Sequence, residues 1–187
     1  MEGFREKTKV LSSQDIKRVL YRLAHQILEK TPDSKELVLL GIQTRGVFLA
    51  QRIKRIIKEI EGAELPLGIL DITLYRDDLT AIGPSPLVKE TKINFSINNK
   101  VVVLIDDVLF TGRTVRAALD EIMDFGRPKR VELAVLVDRG YRELPIRADF
   151  VGKNIPTAQA EQVEVRLEEI DNKDEIIILE KIGKNVG

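Results

Sequence analysis

The chain has 187 residues, of which 30 are basic and 30 are acidic, and the resulting zero net charge argues against a protein that coats nucleic acid with a uniformly basic surface. It contains no cysteine and one histidine, His25, which excludes disulfide frameworks and thiol catalysis and disfavours a histidine metal cluster. The length predicts a single domain, residues 1–187, and the absence of a long apolar run or a signal-type N-terminus predicts a cytoplasmic protein without a membrane partner.

Apolar spacing predicts helices and strands that alternate along the chain. Ser12 and Asp15 form a helix N-cap signal, and the helix that follows is predicted to end before Pro32. Further helices are predicted at 47–61 and 115–125, and strands at 37–42, 68–75, 101–105 and 131–137, with closing strands around 163–167 and 176–179. Strands that are apolar on both faces and alternate with helices are typical of a parallel sheet covered on both sides. The predicted fold class is therefore α/β.

The sequence DDVLFTGRT, residues 106–114, lies between a predicted strand and a predicted helix. Ligands of parallel α/β sheets bind beyond the carboxyl ends of the strands, so this loop is where a ligand is expected. The adjacent carboxylates of Asp106 and Asp107 are costly to bury unless cations or hydroxyl groups approach them. Threonine hydroxyls and free amides at a helix start form an anion site. The pattern predicts a sugar-phosphate site, and the alternative is an ordinary capped helix start.

The longer run VVVLIDDVLFTGRT, residues 101–114, resembles the phosphoribosyl-diphosphate (PRPP) motif of type I phosphoribosyltransferases. The resemblance implies their fold, a central and mostly parallel sheet flanked by helices, with a small hood from C-terminal segments and a mobile flap loop. It also implies that the acidic pair binds the ribose hydroxyls and that the following turn holds the 5′-phosphate. The substrate contacts implied for this run are Asp106, Asp107, Val108, Leu109, Phe110, Thr111, Gly112, Arg113 and Thr114.

A second strand-to-helix loop, GIQTRG at residues 41–46, is a weak signal by itself. Beside the PRPP motif it is similar to the family's diphosphate loop, which implies that Thr44 and Arg45 face the leaving diphosphate. Residues 76–92 include Pro84 and Pro86 and are predicted to be a long exposed loop, a type that is usually functional or disordered. The resemblance makes this loop the flap and Arg76 its anion ligand.

Several segments together resemble one branch of the family, the PyrR proteins, which attenuate the pyrimidine operon and act as uracil phosphoribosyltransferases. The segments are GIQTRG, DITLYRDDL, DDVLFTGRTVRAALD, GRP, LAVLVDRG and RELPIRADFVGKNIPT, and the resemblance covers about residues 10–180. It implies conversion of uracil and PRPP to UMP and diphosphate, with catalytic roles for Asp106, Asp107 and Arg45. Mg²⁺ is implied as cofactor, bound mainly through PRPP and near the acidic pair.

The resemblance implies that the base lies against three further residues, Arg139, Phe150 and Val151. In relatives that use 6-oxopurines, an aspartate held near the base precedes the TG turn. Here that position is Phe110, which cannot transfer a proton and so favours a pyrimidine. The alternative is that Phe110 is simple packing.

The same branch binds leader RNA of the pyrimidine operon when uridine nucleotides (UMP or UTP) are bound, and this favours transcription termination. The RNA-binding residues implied here are Arg22, His25, Lys30, Thr44, Arg142, Arg147 and Lys153. The alternative for each basic residue is a solvated surface charge, and for His25 a surface or half-packed histidine. Tyr21 and Tyr141 stand where relatives commonly have threonine and histidine, which leaves the RNA sequence preference open.

Three functions remain open at this stage. The first is an enzyme that is also an RNA-binding regulator, expected to be a homodimer or a higher homo-oligomer. The second is a salvage enzyme for uracil or another base without RNA regulation. The third is a regulator that keeps the PRPP site for effector binding and has lost turnover.

Overall fold

The computed structural model describes residues 3–75 and 90–182. The helices are α1 (Ser13–Lys30), α2 (Arg45–Glu61), α3 (Arg113–Phe125) and α4 (Glu168–Asp171). The strands are β1 (Phe4–Leu11), β2 (Leu37–Ile42), β3 (Leu67–Leu70), β4 (Val101–Leu109), β5 (Arg130–Asp138), β6 (Phe150–Asn154), β7 (Glu161–Arg166) and β8 (Glu175–Lys181). Two 3-10 turns cover Ser34–Glu36 and Ile72–Tyr75. None of the helices in these ranges is long and apolar enough to cross a membrane.

Five parallel strands form the main sheet in the order β3-β2-β4-β5-β6. Helices α1 and α2 cover one face, where their buried leucines and isoleucines pack on β2, β4 and β5, and α3 covers the other face. The predicted α/β fold, a central parallel sheet flanked by helices, is confirmed. Since all five strands run the same way, the loops after β2, β4 and β5 meet at one edge of the sheet.

The remaining strands form a three-stranded antiparallel sheet, β1-β8-β7, which we call the hood. The C-terminal strands were predicted, but β1 was not. Its sequence, FREKTKVL, is mostly exposed and carries four charged residues, so it lacks the apolar alternation that predicts a strand. The strand forms because β8 pairs with it along its length, from Phe4 to Leu11.

Helix α1 begins as the sequence predicts. The Ser12 amide donates to the Asp15 carboxylate at 3.0 Å and the Asp15 amide donates to the Ser12 hydroxyl at 3.4 Å, which completes a capping box. The helix ends at Lys30, before Pro32, and buries an apolar stripe that includes Ile16, Leu20, Leu23 and Ile27.

The strand predicted at 68–75 is shorter than expected, because β3 ends at Leu70 and a 3-10 turn follows. Asp71 causes the change. Its carboxylate accepts hydrogen bonds from the amide and the hydroxyl of Thr73, which curls the chain back on itself, as aspartate commonly does in turns.

The predicted boundaries around residue 110 also move. Strand β4 continues past Ile105 to Leu109 because Val108 and Leu109 still pair with β5. Helix α3 begins at Arg113, two residues before the predicted start, directly after Gly112, whose φ of 95° lies in the left-handed region that glycine adopts without strain. The loop that joins β4 to α3 is therefore only residues 110–112.

Two buried carboxyl groups meet where the segment 90–92 returns to β3. Glu121 of α3 is 3% exposed and its Oε1 accepts a hydrogen bond from the Thr91 hydroxyl, while the Asp71 amide donates to the same hydroxyl at 2.8 Å. Glu121 Oε2 and Asp71 Oδ2 are buried without a partner among the described residues. Burial raises the pKa of Glu121, and the charges of Asp71 and Asp124 raise it further. The fold therefore disfavours the charged form of Glu121.

We expect Glu121→Gln to stabilise the protein at pH 8 by about 1 kcal/mol, since a neutral amide removes the buried charge. A group whose pKa is raised by folding stabilises the fold below its unfolded pKa and loses that contribution as the pH rises through its folded pKa. The gain should therefore shrink as the pH falls from 8 to 4. Thermal melts across this range measure it, with Asp120→Asn as control, because that exposed carboxylate of α3 forms only a surface ion pair. A variant less stable than the parent at pH 8 would contradict the assignment.

Candidate active site and nucleic-acid interface

The acidic pair lies at the carboxyl end of β4. Asp106 is 7% exposed and Asp107 is half-buried. Each carboxylate accepts a hydrogen bond at 2.9 Å from the next amide, that of Asp107 or of Val108. Burial raises the pKa of Asp107, against the lowering effects of its contact with Asp106 and the positive charge of Arg45. Hydroxyl groups of a ligand would therefore be favourable hydrogen-bond donors to the carboxylate oxygens of Asp106 and Asp107.

The turn after the acidic pair presents main-chain groups at the start of α3. No side chain caps this helix, and the Thr111 hydroxyl accepts instead from the Arg113 amide at 3.3 Å. Because the Arg113 amide is engaged in this way, the amides that follow it in α3 are the ones available to an anion, together with the positive end of the helix dipole.

The loop between β2 and α2 approaches the acidic pair closely because glycine allows it. A Cβ atom on Gly46 would lie 2.4 Å from the Ile105 carbonyl oxygen, so only glycine fits at this crossing. The Gln43–Thr44 peptide bond is cis, and Thr44 is exposed at the start of α2. Arg45 follows, and its Nη2 donates to both carboxylate oxygens of Asp171 in α4 at 3.1 Å.

The two loops enclose one cavity of about 240 Å³. It is lined by Ile42, Gln43, Thr44, Arg45, Ile72, Asp106, Asp107, Val108 and Thr114. The structure thus brings together six of the residues predicted from the two motifs: Thr44, Arg45, Asp106, Asp107, Val108 and Thr114. Arg45 Nε is buried without a partner among the described residues, so the guanidinium still has donor capacity.

Arg139 is fixed beside Phe110 and lines a cavity other than the one that holds the acidic pair. Its Nε donates to the Thr157 hydroxyl at 2.8 Å and its Nη2 donates to the Glu161 carbonyl. The guanidinium carbon lies 4.0 Å from the centroid of the Phe110 ring, a cation–π contact, and Tyr141 meets the same ring edge-on at 6.4 Å. Thr157 and Glu161, at the base of the hood, were not predicted, because nothing local in sequence links them to Arg139.

The structure does not bring Phe150 to this region. Its side chain is 5% exposed and belongs to the core under α1, and the Lys30 ammonium lies 5.2 Å from the ring centroid. Val151, half-buried, points to the opposite face of the sheet and packs in the α3 cluster. Arg76, the implied flap ligand, lies outside the described residues, as does most of the predicted flap 76–92.

Comparison with known proteins identifies the family. Residues 7–170 match the phosphoribosyl transferase domain family. Bifunctional protein PyrR of Thermus aquaticus is 57% identical over 179 residues, covering 96% of this chain and 99% of that protein. Bifunctional protein PyrR of Caldicellulosiruptor bescii is 55% identical over 186 residues, which covers both chains fully. The chain belongs to the PyrR family of phosphoribosyltransferases.

The fold is shared more widely than the PyrR family. The crystal structure of hypoxanthine phosphoribosyltransferase from Trypanosoma cruzi superposes with a TM-score of 0.72 at 17% identity, over 95% of this chain and 98% of that one. At that identity the match shows the fold alone, and the predicted type I phosphoribosyltransferase fold is confirmed.

The residues that the PyrR resemblance implies for RNA binding surround β6, the edge strand of the main sheet, with the exception of Thr44. His25, Arg147 and Lys153 are exposed. Arg22 lies on the same side of α1 as His25 but donates to the carbonyls of Val151 and Gly152, so it also attaches α1 to β6.

Two of these residues are held in contacts within the protein. Lys30 pairs with Asp149 at 2.6 Å and with the buried Glu132 at 3.3 Å. Arg142 donates to four acceptors in its own surroundings. The fold brings these partners to Lys30 and Arg142, so the contacts could not be predicted from the presence of basic residues in the sequence.

Proposed function

We propose that this protein converts uracil and PRPP to UMP and diphosphate and that it also binds leader RNA of the pyrimidine operon in response to uridine nucleotides. The observation that carries the catalytic half is the cavity in which Asp106 and Asp107 face Arg45, Thr44 and Thr114. One PRPP molecule could therefore contact all of these groups. The carboxylates would bind its ribose hydroxyls, the cation and amides its diphosphate, and the start of α3 its 5′-phosphate.

Each part of PRPP has a matching group in this arrangement. The ribose hydroxyls donate to Asp106 and Asp107, which also stabilise the ribosyl group as positive charge develops at C1′. The loop 111–114 and the start of α3 hold the 5′-phosphate. Arg45 and the Thr44 main chain hold the diphosphate as the C1′–O bond breaks and the bond from C1′ to uracil N1 forms. The departing diphosphate keeps the electron pair of the C1′–O bond, and its oxygens accept the proton that leaves uracil N1. The protein's contribution is positioning, charge stabilisation and exclusion of water.

The donor set fits Mg²⁺ bound largely through its substrate. The described residues contain no group of three or more histidine, cysteine or acidic side chains that could hold a metal. Asp106 and Asp107 supply hard oxygen ligands, and Mg²⁺ commonly binds one or two carboxylates with substrate phosphates and water completing its shell. When bound, the ion would neutralise charge on the diphosphate.

We place the base beside the pair formed by Phe110 and Arg139, whose 4.0 Å contact leaves no space between them. A guanidinium that Thr157 and the hood hold in place is suited to the carbonyl groups of a pyrimidine, and the aromatic ring beside it gives an apolar wall. Phe110 offers no acid or base for purine chemistry, which favours uracil. The alternative is that Phe110 only packs under Arg139. The base specificity of Phe110→Asp tests it, because a packing residue could be changed without altering which base is used.

The regulatory half is supported by the identity to relatives named bifunctional PyrR and by the exposed basic groups around β6. UMP or UTP would act as effector at the same PRPP site. We expect a homodimer or higher homo-oligomer, working in the cytoplasm, where PRPP and nascent transcripts are found together.

The RNA interface makes a salt-dependent prediction. Lys153 is exposed on β6, and Lys153→Ala should weaken leader-RNA binding and reduce the slope of log affinity against log salt by about one unit or less. Uracil turnover should be unchanged, since Lys153 lies outside the substrate cavity. Lys58→Ala, an exposed lysine of α2 that pairs with Glu64, is the control and should change neither property. Unchanged RNA binding by Lys153→Ala would remove this residue from the interface.

Two measurements separate this function from the alternatives left open by the sequence. Filter binding of leader RNA with and without UMP distinguishes the bifunctional protein from a salvage enzyme, which would not bind. Release of diphosphate from PRPP in the presence of uracil distinguishes it from a regulator without turnover, which would release none.

A further inference from the structure

The loop 110–112 at the phosphate site and the loop between β5 and β6 share main-chain hydrogen bonds. The amides of Glu143 and Leu144 both donate to the Thr111 carbonyl, at 3.0 and 3.2 Å. The Arg139 amide donates to the Leu109 carbonyl at 3.0 Å. The Thr111 carbonyl belongs to the turn whose following amides are proposed to bind the 5′-phosphate. Main-chain hydrogen bonds therefore connect this turn directly to the loop between β5 and β6.

Side chains reinforce the same junction. Arg113 pairs with Glu143 at 2.6 Å. At Gly112, an added Cβ atom would lie 3.4 Å from Ile146 and 3.5 Å from Leu144, so the second loop passes close to the turn and leaves room for about one carbon atom between them. A shift of either loop by the width of an atom would disturb the other.

Arg142 occupies the centre of this junction. Its Nε donates to the Ile146 carbonyl at 2.9 Å and its Nη1 to the carbonyls of Phe110 at 2.9 Å and Gly140 at 3.2 Å. Its Nη2 donates to Asp138 Oδ2 at 2.5 Å. An arginine has five N–H donors, and four contacts engage most of them. Little donor capacity is left for an RNA phosphate.

Arg147, five residues later in the same loop, is the opposite case. It is exposed and makes no hydrogen bond or ion pair with any other residue that the structure describes. Its five donors remain available to RNA. The two arginines therefore have different environments although the sequence suggests one role for both.

We propose that Arg142 is a positioning residue that couples the nucleotide site to the RNA face, whereas Arg147 keeps the direct contact with RNA that the family resemblance implies. This inference rests on the proposed function. A 5′-phosphate bound at 111–114 restrains the main chain of Phe110 and Thr111, and the Arg142 guanidinium with the Thr111 carbonyl passes this restraint to residues 142–147. The free-energy cost of ordering this loop when RNA binds is then lower. By linkage, RNA raises the affinity for UMP by the same factor by which UMP raises the affinity for RNA.

The test compares Arg142→Lys and Arg142→Ala with Arg147→Ala by filter binding of leader RNA with and without UMP, at several salt concentrations. Both Arg142 variants should bring the UMP-dependent gain in affinity close to one-fold and leave the salt slope unchanged, because lysine keeps the charge but cannot make four directed contacts. Arg147→Ala should weaken binding with and without UMP alike and lower the salt slope by about one unit or less. A lysine variant that keeps the UMP-dependent gain, with a reduced slope in Arg142→Ala, would overturn the inference and make Arg142 a direct phosphate contact.

Glu143→Gln provides a variant with little risk to folding, since Glu143 and Arg113 are both about half exposed. It removes one tie between the loops and should lower the UMP-dependent gain by less than Arg142→Lys does. A full gain in Glu143→Gln together with a full gain in Arg142→Lys would contradict the coupling.

A readout without RNA keeps this inference separate from the proposed function. UMP should slow hydrogen exchange at the Glu143 and Leu144 amides of the parent several-fold, and this slowing should be lost in Arg142→Lys. Exchange that UMP leaves unchanged in the parent would overturn the coupling even if RNA binding is intact. If UMP slows exchange but the parent binds no RNA, the regulatory function fails and the connection between the loops stands.

Discussion

Asp107→Asn is expected to lower the rate of UMP formation by about 100-fold or more while the melting temperature stays the same or rises. Asp107 faces the cavity that holds Arg45 and Thr114, and its carboxylate is placed to stabilise the ribosyl group as charge develops. Removing one well-placed electrostatic group from an active site commonly costs 10²- to 10³-fold in turnover, so an amide should be a poor replacement.

Stability should respond in the opposite direction. Burial raises the pKa of Asp107, so the charged form carries a cost in the fold at neutral pH that asparagine does not. The stabilisation that the protonated acid contributes is present below its unfolded pKa and is lost as the pH rises through the folded pKa, so the gain from asparagine should grow with pH over that range. Steady-state assays measure the rate of UMP formation by Asp107→Asn, and thermal melts on the same preparations measure its stability. Asp120→Asn is the control for both. A near-parental rate would remove Asp107 from the ribose site.

Arg45→Ala is expected to weaken PRPP binding by about 10- to 100-fold, the range that follows from losing charge-assisted hydrogen bonds worth about 1.5–3 kcal/mol. UMP binding should change less than about two-fold, because UMP has no diphosphate. The side chain is held at the cavity by Asp171, and its buried Nε has donor capacity for an incoming anion.

Calorimetry with PRPP and with UMP measures both affinities. Arg55→Ala, an exposed arginine on the same helix α2, is the matched control for general loss of positive charge. Equal losses for the two ligands would mean that Arg45 does not face the leaving group, and a loss of PRPP binding in the control would point to long-range electrostatics instead.

Most of the main sheet and the meeting of the two motifs at one cavity were predictable because their signals are local. The apolar runs of β2, β4 and β5 mark strands buried on both faces, and most residues that line the cavity lie at the carboxyl ends of β2 and β4 or shortly after them. Parallel strands bring such loops to one edge, so the meeting of Arg45 with Asp106 and Asp107 follows from topology alone.

The features that were missed depend on residues far apart in sequence. β1 is stabilised by pairing with β8, which lies at the other end of the chain. Arg45 pairs with Asp171 across 126 residues, and Phe150 enters the core because α1 packs over β6. The separate roles of Arg142 and Arg147 depend on which carbonyls lie within reach of each guanidinium. Sequence spacing carries no information on these contacts.

The most direct test of the central claim is the product formed from PRPP and Mg²⁺ when uracil, hypoxanthine and guanine are offered in parallel. The proposed site, in which the base lies beside Phe110 and Arg139, predicts UMP from uracil with release of one diphosphate per UMP, and no nucleotide from either purine. Product from a purine, or no product from uracil, would contradict it.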